Sequence, residues 1–263
     1  MTHSATINVP AGPVVLTLAE RELVRFFRQR NRVIGALVQP ILFWVLFSAG
    51  LRSNDLGFAF FFPGTLAMIL LFTAIFATIS IIEDRREGFL QSVLVAPAPR
   101  WAMVLGKILG GAAIALLQAL VFLVLGWLTM GLMSPLLDVL LAVVLMGVIA
   151  VALTGLGFVI AWRMDSTQGF HAIMSVFLFP MWLLSGSLFP ADPGSWLTWL
   201  SRFNPLTYGV AGLRHYLLFK DAAVTTEGLP GLGVCWLVSL GFAAAMLALS
   251  WRMAGTRTTG DLL

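Results

Sequence analysis

The sequence predicts an all-α integral membrane protein with six transmembrane helices. Hydrophobic residues make up 59% of the chain and charged residues only 11%, and the mean hydropathy is +0.95. The apolar residues are concentrated in six long runs separated by short polar breaks. Roughly 20 apolar residues in a helix cross a hydrocarbon core of about 30 Å, and a helix pairs its own backbone polar groups in lipid. The runs do not alternate polar and apolar residues, as the strands of a transmembrane barrel do.

The six runs divide the chain into a membrane domain and short flanking segments. We expect a six-span domain over residues 33–252, a loose tail over residues 1–13 and a cytoplasmic tail over residues 253–263. The predicted spans are residues 33–51, 60–82, 108–130, 136–162, 172–189 and 229–251.

The distribution of Lys and Arg predicts how the spans are oriented. Six spans place both termini on one side of the membrane, and that side carries 12 of the 16 Lys and Arg residues. Positive residues accumulate in cytoplasmic loops, so we expect both termini in the cytoplasm and the chain in a bacterial inner membrane. We attribute the net charge of +4 to basic anchors at an anionic leaflet rather than to nucleic-acid binding.

An amphipathic helix is predicted over residues 14–32. Leu16, Leu23 and Phe26 recur at helical spacing, and a basic stripe occupies the opposite face. This pattern is typical of a helix that lies at the cytoplasmic membrane surface, although a solvated helix has the same periodicity. The stripe consists of Arg21, Arg25, Arg28 and Arg32.

The connection between the second and third spans begins with five charged residues and continues with an apolar set. Pro97 and Pro99 end any helix there. We therefore predict a short cytoplasmic helix whose apolar face is buried by a cytoplasmic partner. The alternative is a charged flank that only marks the membrane boundary. The predicted contact residues are Glu83, Asp84, Arg85, Arg86, Glu87, Gly88, Phe89, Leu90 and Val93.

The segment between the fifth and sixth spans is too apolar for a free loop and too interrupted to cross the membrane. Two short helices separated at Asn204-Pro205 fit it best, in the outer half of the bilayer or at its interface, where Trp and Tyr are favoured. The characteristic residues of this segment are Trp196, Trp199, Asn204, Pro205, Tyr208 and Arg214.

The sequence lacks the residue patterns of a nucleotide, metal or catalytic site. Gly106-Lys107 has no upstream glycine of a phosphate loop and is followed by Ile108. The three His residues are far apart in sequence. Lys107 lies near the cytoplasmic end of its span, where it can snorkel, and the spans contain too few ionisable residues for ion-coupled transport. We therefore expect no enzyme activity and no cofactor bound by this chain.

Several short motifs occur in order along nearly the whole chain. They are Phe62-Pro63-Gly64, residues 83–90, Ala96-Pro97 with Arg100, Gly106-Lys107, residues 185–190, residues 204–208 and Leu213-Arg214. This ordered set resembles the permease subunits of type-2 ABC transporters, especially the daunorubicin-resistance-like and nodulation-factor-exporter-like branch. Phe89 and Gln91 depart from the Thr and Glu that are usual at those positions in the family.

The resemblance implies a fold and a set of partners. The expected fold has an amphipathic N-terminal helix, six spans, a coupling helix between spans two and three, and two short re-entrant helices before span six. Two permeases pair, as a homodimer or a heterodimer, and two separate ABC ATP-binding subunits dock beneath them. Those subunits bind ATP and Mg²⁺, while the permeases contact membrane lipids and no nucleic acid.

Two other functions remain open from the sequence. One is a membrane-embedded enzyme or scramblase acting on lipids, which requires a cluster of polar catalytic side chains. The other is an accessory subunit that transports nothing itself. For an exporter, the many Phe and Met residues in the spans favour an apolar or amphipathic substrate, such as a drug-like compound, a lipid or a glycolipid.

Overall fold

The computed structural model describes residues 10–50, 58–131, 133–188, 196–217 and 228–255, and every regular element among them is helical. The predicted all-α membrane fold is confirmed. The elements are α1 Ala11–Arg28, α2 Arg30–Gly50, α3 Phe58–Ala77, α4 Ile79–Arg86, α5 Phe89–Val95, α6 Arg100–Met130, α7 Leu136–Trp162, α8 Thr167–Trp182, a π-helical turn Leu183–Ser187, α9 Trp196–Ser201, α10 Pro205–Tyr216 and α11 Leu232–Gly255.

Five helical stretches in the described residues are long and apolar enough to cross a membrane. They coincide with the second to sixth predicted spans. The first predicted span coincides with α2, which is helical over Arg30–Gly50 but is not one of the five, so the number six stays a prediction. The five are Ala59–Arg86, Arg100–Met130, Leu136–Trp162, Thr167–Ser187 and Leu232–Gly255.

The centre of the bundle is formed by α3, α6 and α7, with α11 packed on α7 and α1 packed along α6. Small residues allow these helices to approach closely. A Cβ atom at Gly111 of α6 would lie 2.7 Å from Cγ2 of Thr154 in α7, and one at Gly157 of α7 would lie 2.8 Å from Oγ1 of Thr78. Glycine at these positions therefore sets the spacing of the central helices.

Several polar side chains within the spans form hydrogen bonds within a helix or between packed helices. The Thr73 hydroxyl donates to Oε1 of Gln118 across the α3–α6 contact at 2.5 Å. The hydroxyls of Thr154 and Ser175 donate to carbonyls one helical turn earlier, at 2.7 and 2.8 Å. Each of the three hydroxyls is therefore satisfied, either by a neighbouring side chain or by its own helix.

The predicted N-terminal helix differs in its bounds. It begins at Ala11 and ends at Arg28, and α2 begins two residues later at Arg30. Arg32 therefore belongs to α2, and its side chain lies outside the described residues. Of the predicted tails, residues 1–9 and 256–263 also lie outside them, whereas residues 11–13 belong to α1 and residues 253–255 to α11.

Two short helices precede α11, as predicted, and their separation at Asn204-Pro205 has a clear cause. Asn204 Oδ1 accepts a hydrogen bond from the backbone N–H of Leu206 at 3.0 Å, and Pro205 occupies the first turn of α10. An Asn cap followed by proline is a favoured helix start, since proline has no N–H to leave unpaired.

The two polar regions of the molecule lie at opposite ends of the bundle. Phe60, near the start of α3, contacts the side chain of Arg214 in α10, whereas Asp84, near the end of α4, contacts α1. The 24 positions between Phe60 and Asp84 correspond to roughly 36 Å of helix, about the thickness of a membrane core.

This arrangement yields a prediction for membrane topology. Single cysteines at Ser92 in α5 and at Trp196 in α9, each in a Cys235→Ala background, should react with a membrane-impermeant maleimide from opposite sides. Ser92 and Trp196 are both exposed, so access is governed by the bilayer. Labelling of intact cells and of inverted vesicles is the measurement, and labelling of both positions from one side would contradict the predicted topology.

Candidate functional site

A buried charge cluster joins three helices at one end of the bundle. Its centre is Lys107 of α6, whose ammonium donates a hydrogen bond to Oε1 of Glu22 in α1 at 2.5 Å and another to Oδ2 of Asp84 in α4. All three side chains are buried, and Asp84 is fully so. Because a buried charge is costly unless it is paired, these contacts hold α1, α4 and α6 together.

Two arginines of α1 complete the cluster. Arg21 binds Asp84 through two parallel hydrogen bonds of 2.8 and 3.0 Å. Arg25 donates to Oδ1 of Asp84 at 2.9 Å and to Oε2 of Glu83 at 2.7 Å. Three cations thus face three carboxylates, and such charge-assisted bonds are shorter and stronger than neutral ones. The predicted basic stripe therefore binds α4 through Arg21 and Arg25, whereas Arg28 is exposed.

Electrostatics favour the charged form of Arg21. Burial lowers the pKa of Arg21, but the hydrogen bonds and charge of Asp84, with smaller contributions from Glu22 and Glu87, outweigh that effect and raise it above its ordinary value. Arg21 is therefore permanently charged, and its pairing with Asp84 does not depend on pH in the physiological range.

Two glycines of α6 allow α1 to approach the cluster. A Cβ atom at Gly106 would lie 2.8 Å from Cβ of Leu18, and one at Gly110 would lie 2.8 Å from Cβ of Glu22. Any larger residue would separate the helices and lengthen the Lys107–Glu22 contact. The predicted snorkelling of Lys107 is wrong, since its ammonium is held in this contact and is buried.

The short helix α5 is packed onto the same cluster. Gly88 precedes it with φ of 75°, a left-handed conformation that glycine adopts readily, and turns the chain from α4 into α5. The guanidinium of Arg21 lies 3.8 Å from the ring centroid of Phe89. Leu90 is only 3% exposed and belongs to the chain's own core. A shift of α5 would therefore disturb contacts with α1.

These contacts correct the surface expected on α5. Leu90 is unavailable to a partner, and Phe89 and Val93 are half-buried against this chain's own core. Among the described side chains of α5, those of Gln91, Ser92 and Val95 are exposed, and Val95 is 86% exposed. Which of them a partner contacts stays a prediction.

The remaining charged residues of the run bind the connection between α7 and α8. Arg85 donates to the carbonyl oxygen of Trp162 at 2.6 Å and to Oδ1 of Asp165 at 3.2 Å. Nε of Arg86 donates to the backbone carbonyl of Asp165 at 3.1 Å. Glu87 is exposed, with a longer 3.7 Å contact to Arg25. The charged run therefore joins the end of α4 both to α1 and to the connection between α7 and α8.

The outer segment lies away from this cluster and has its own hydrogen bonds. Asn204 Nδ2 donates to the carbonyl of Met181 at 2.6 Å, and the Tyr208 hydroxyl donates to the carbonyl of Arg202 at 3.0 Å. Trp196 and Trp199 are exposed, and Trp199 packs edge to face on Phe203. These contacts fix α9 and α10 against the end of α8, so this segment is a structured part of the bundle.

Glu22 and Lys107 are the members of the cluster that the sequence did not identify as site residues. Each had a signal. Glu22 lies on the same helical face as Leu18 and Phe26, where an isolated carboxylate requires a partner, and Lys107 stands within an otherwise apolar run between Gly106 and Gly110. Within the described residues no group of His, Cys, Asp and Glu could hold a metal ion.

Comparison with known proteins identifies the family. The sequence model of the ABC-2 type transporter family matches residues 13–218, which covers most of the chain, from α1 to the end of α10. The chain belongs to this family. Membership means that it is a multi-pass membrane protein and a transport permease, and it implies association with an ATP-binding subunit.

Individual relatives are consistent with this assignment. The chain is 26% identical over 255 residues to the doxorubicin resistance ABC transporter permease protein DrrC of Mycobacterium tuberculosis, covering 92% of this chain and 89% of that one. It is 24% identical over 212 residues to the transport permease ycf38 of Cyanophora paradoxa, with 76% and 72% coverage. It is 28% identical over 169 residues to the multidrug ABC transporter permease YbhR of Escherichia coli, with 63% and 45% coverage.

The cluster gives a prediction for stability. Lys107→Met leaves Glu22 and Asp84 buried as neighbouring carboxylates, and breaking a buried pair costs about 3–5 kcal/mol. The variant should unfold at a clearly lower temperature in detergent, as measured by size-exclusion chromatography after heating. The double variant Glu22→Gln/Lys107→Met removes one charge of each sign and should lose less stability than the single variant.

Arg28→Met is the matched control, because Arg28 is an exposed arginine on the same helix as Glu22. It should unfold like the unmodified chain. Equal unfolding temperatures for Lys107→Met and Arg28→Met would show that the cluster does not hold the helices together.

Proposed function

We propose that this chain is the membrane permease subunit of an ATP-driven exporter, with both termini cytoplasmic. ATP and Mg²⁺ are bound by two separate ATP-binding subunits, and two permeases pair around the transport pathway in a bacterial inner membrane. The observation that carries the proposal is the charge cluster, because it links the short helix α5 to α1 and to the start of α6.

The proposed mechanism uses α5 as the receiving element. A partner that displaces α5 acts on Phe89 and Leu90, which contact Arg21 and the chain's own core. Arg21 is bound to Asp84, and Asp84 to Lys107 at the start of a 31-residue helix. Since ion pairs buried at this spacing resist separation, displacement of α5 moves α1, α4 and α6 together rather than bending the turn at Gly88.

The exposed face of α5 is the proposed docking surface. Val95 is a large apolar side chain almost fully in solvent, beside the polar Gln91 and Ser92. Apolar side chains at the centre of an interface carry most of the binding energy, whereas charges at the rim, such as Glu87, set orientation and register.

The proposed substrate is apolar or amphipathic. Two relatives are named for doxorubicin resistance and for multidrug transport. In this chain a groove of about 640 Å³ between α6, α7 and α11 is lined entirely by apolar residues and glycine, and a second of about 360 Å³ lies between α8 and α10 with Phe177 and Phe203 in its wall. Such surfaces favour drug-like or lipid molecules over ions.

The rival function, a membrane-embedded enzyme or scramblase, finds less support. In the described residues the charge cluster is balanced, with Glu22, Asp84 and Lys107 held in ion pairs. A catalytic acid or base instead needs access to its substrate and a pKa suited to proton transfer.

The docking surface yields a prediction for Val95. Val95→Asp places a charge at the centre of the proposed interface and should reduce retention of the ATP-binding subunit by about thirtyfold, since disrupting an apolar anchor costs on the order of 2 kcal/mol. Val95 lies outside the protein's own core, so expression and unfolding temperature should not change. Pull-down of the subunit encoded with this chain is the measurement.

Met133→Asp is the matched control, because Met133 is an exposed apolar residue in the α6–α7 connection at the opposite end of the bundle. It should retain the subunit. If Val95→Asp retains it equally well, α5 is a membrane-boundary element and the docking role is wrong.

A further inference from the structure

An arginine with no carboxylate partner among the described residues is buried at the end of the bundle opposite the charge cluster. Arg214, in the last turn of α10, is 4% exposed. Its Nη2 donates to the carbonyl oxygen of Gly186 at 2.8 Å, and its guanidinium carbon lies 4.2 Å from the ring centroid of Phe60. Within the described residues its Nε has no hydrogen-bond acceptor, and no carboxylate forms an ion pair with it.

This arrangement is unusual on physical grounds. A guanidinium keeps its charge at every physiological pH, and a buried charge normally has a counter-ion. A single carbonyl and one aromatic ring offset only part of the cost of burying this charge, since a guanidinium has five N–H donors. At the other end of the molecule, Lys107 and Arg21 are each fully matched by carboxylates. Arg214 therefore retains the capacity to bind an anion.

A cavity of about 110 Å³ lies against Arg214. It is several times larger than the roughly 10–15 Å³ that one water molecule requires. Arg202, an exposed residue after α9, lines the same cavity, so two arginines and, among the described residues, no acidic residue contribute to its lining. An anion entering it meets positive charge from both residues.

Most other polar groups of the cavity already have partners. The Thr207 hydroxyl donates to the carbonyl of Ser201 at 2.8 Å, and the Ser185 and Ser187 hydroxyls are 2.5 Å apart. The donors left for a ligand are thus mainly those of the two arginines. The rest of the lining includes Leu183, Leu197 and Val210, which present an apolar surface. A charged group with an attached apolar chain fits this combination.

We propose that this cavity binds the phosphate group of an anionic amphiphile, with Arg214 and Arg202 as its ligands and the neighbouring leucines contacting the apolar chain. Arg matches phosphate with two parallel hydrogen bonds, which a lysine in the same place cannot form. The site is separated from the charge cluster by roughly 36 Å of helix. The proposal does not depend on the transport function, because lipid binding requires no ATP-binding subunit.

Binding of dioleoyl phosphatidylglycerol to the purified, delipidated full chain tests this site. Native mass spectrometry should show tight binding of this lipid and much weaker binding of dioleoylglycerol, which has the same chains without the phosphate. Arg214→Gln should weaken phosphatidylglycerol binding by about tenfold or more, because a charge-assisted bidentate contact is lost. Arg202→Gln, at an exposed position, should weaken it to a smaller extent and remains informative if Arg214→Gln does not fold.

Arg163→Gln is the matched control, because Arg163 is an exposed arginine at the other end of the bundle. It should bind the lipid like the unmodified chain. If inorganic phosphate alone binds and displaces the lipid in an Arg214-dependent way, the anion site stands and its ligand is a soluble phosphate. Equal binding of dioleoylglycerol, or unchanged lipid binding in both Arg202→Gln and Arg214→Gln, would overturn the proposal.

Discussion

The hydrogen bonds of the Lys107 ammonium to Glu22 and Asp84 are the contacts on which this end of the structure depends. An ammonium in an apolar environment must be paired, and here its two carboxylate partners come from two other helices. That requirement fixes where α1 crosses α6, and it explains why α6 has glycine on both sides of the lysine, at Gly106 and Gly110. Arg21 and Arg25 place positive charge beside Asp84, so that the positive and negative charges of the cluster balance.

The two ends of the bundle use charge in different ways. At the α5 end every charge in the cluster has a partner within the chain, and such a network is rigid because each member restricts the others. At the α10 end Arg214 has one carbonyl, one aromatic ring and a cavity beside it. A paired network transmits displacement, whereas an under-satisfied guanidinium binds a ligand. The first property suits the proposed coupling to an ATP-binding subunit, and the second suits the proposed binding of an anionic amphiphile.

The sequence predicted the helices well because their signals are local. Apolar runs identified the spans, and Asn204-Pro205 located the start of α10 through an ordinary capping interaction. The partners of the charged residues could not be predicted in the same way. Helical spacing placed Arg21 and Arg25 on one face, but only the fold shows that this face meets Asp84 from a helix some 60 positions later. Leu90 was expected at a surface for the same reason, because periodicity defines an apolar face without identifying what covers it.

In the proposed function, α1, α5 and the start of α6 move as one body when the ATP-binding subunit closes. Electron–electron distance measurements between spin labels test it in the permease–ATPase complex, with labelled chains diluted by unlabelled ones. Labels at Leu16 and Ser92, both exposed, report within the proposed body, and labels at Ser92 and Trp196 report between it and α9. On trapping with ATP and vanadate, the first distance should stay constant while the second changes. A change in the Leu16–Ser92 distance as large as that between Ser92 and Trp196, or no change in either distance, would contradict the account.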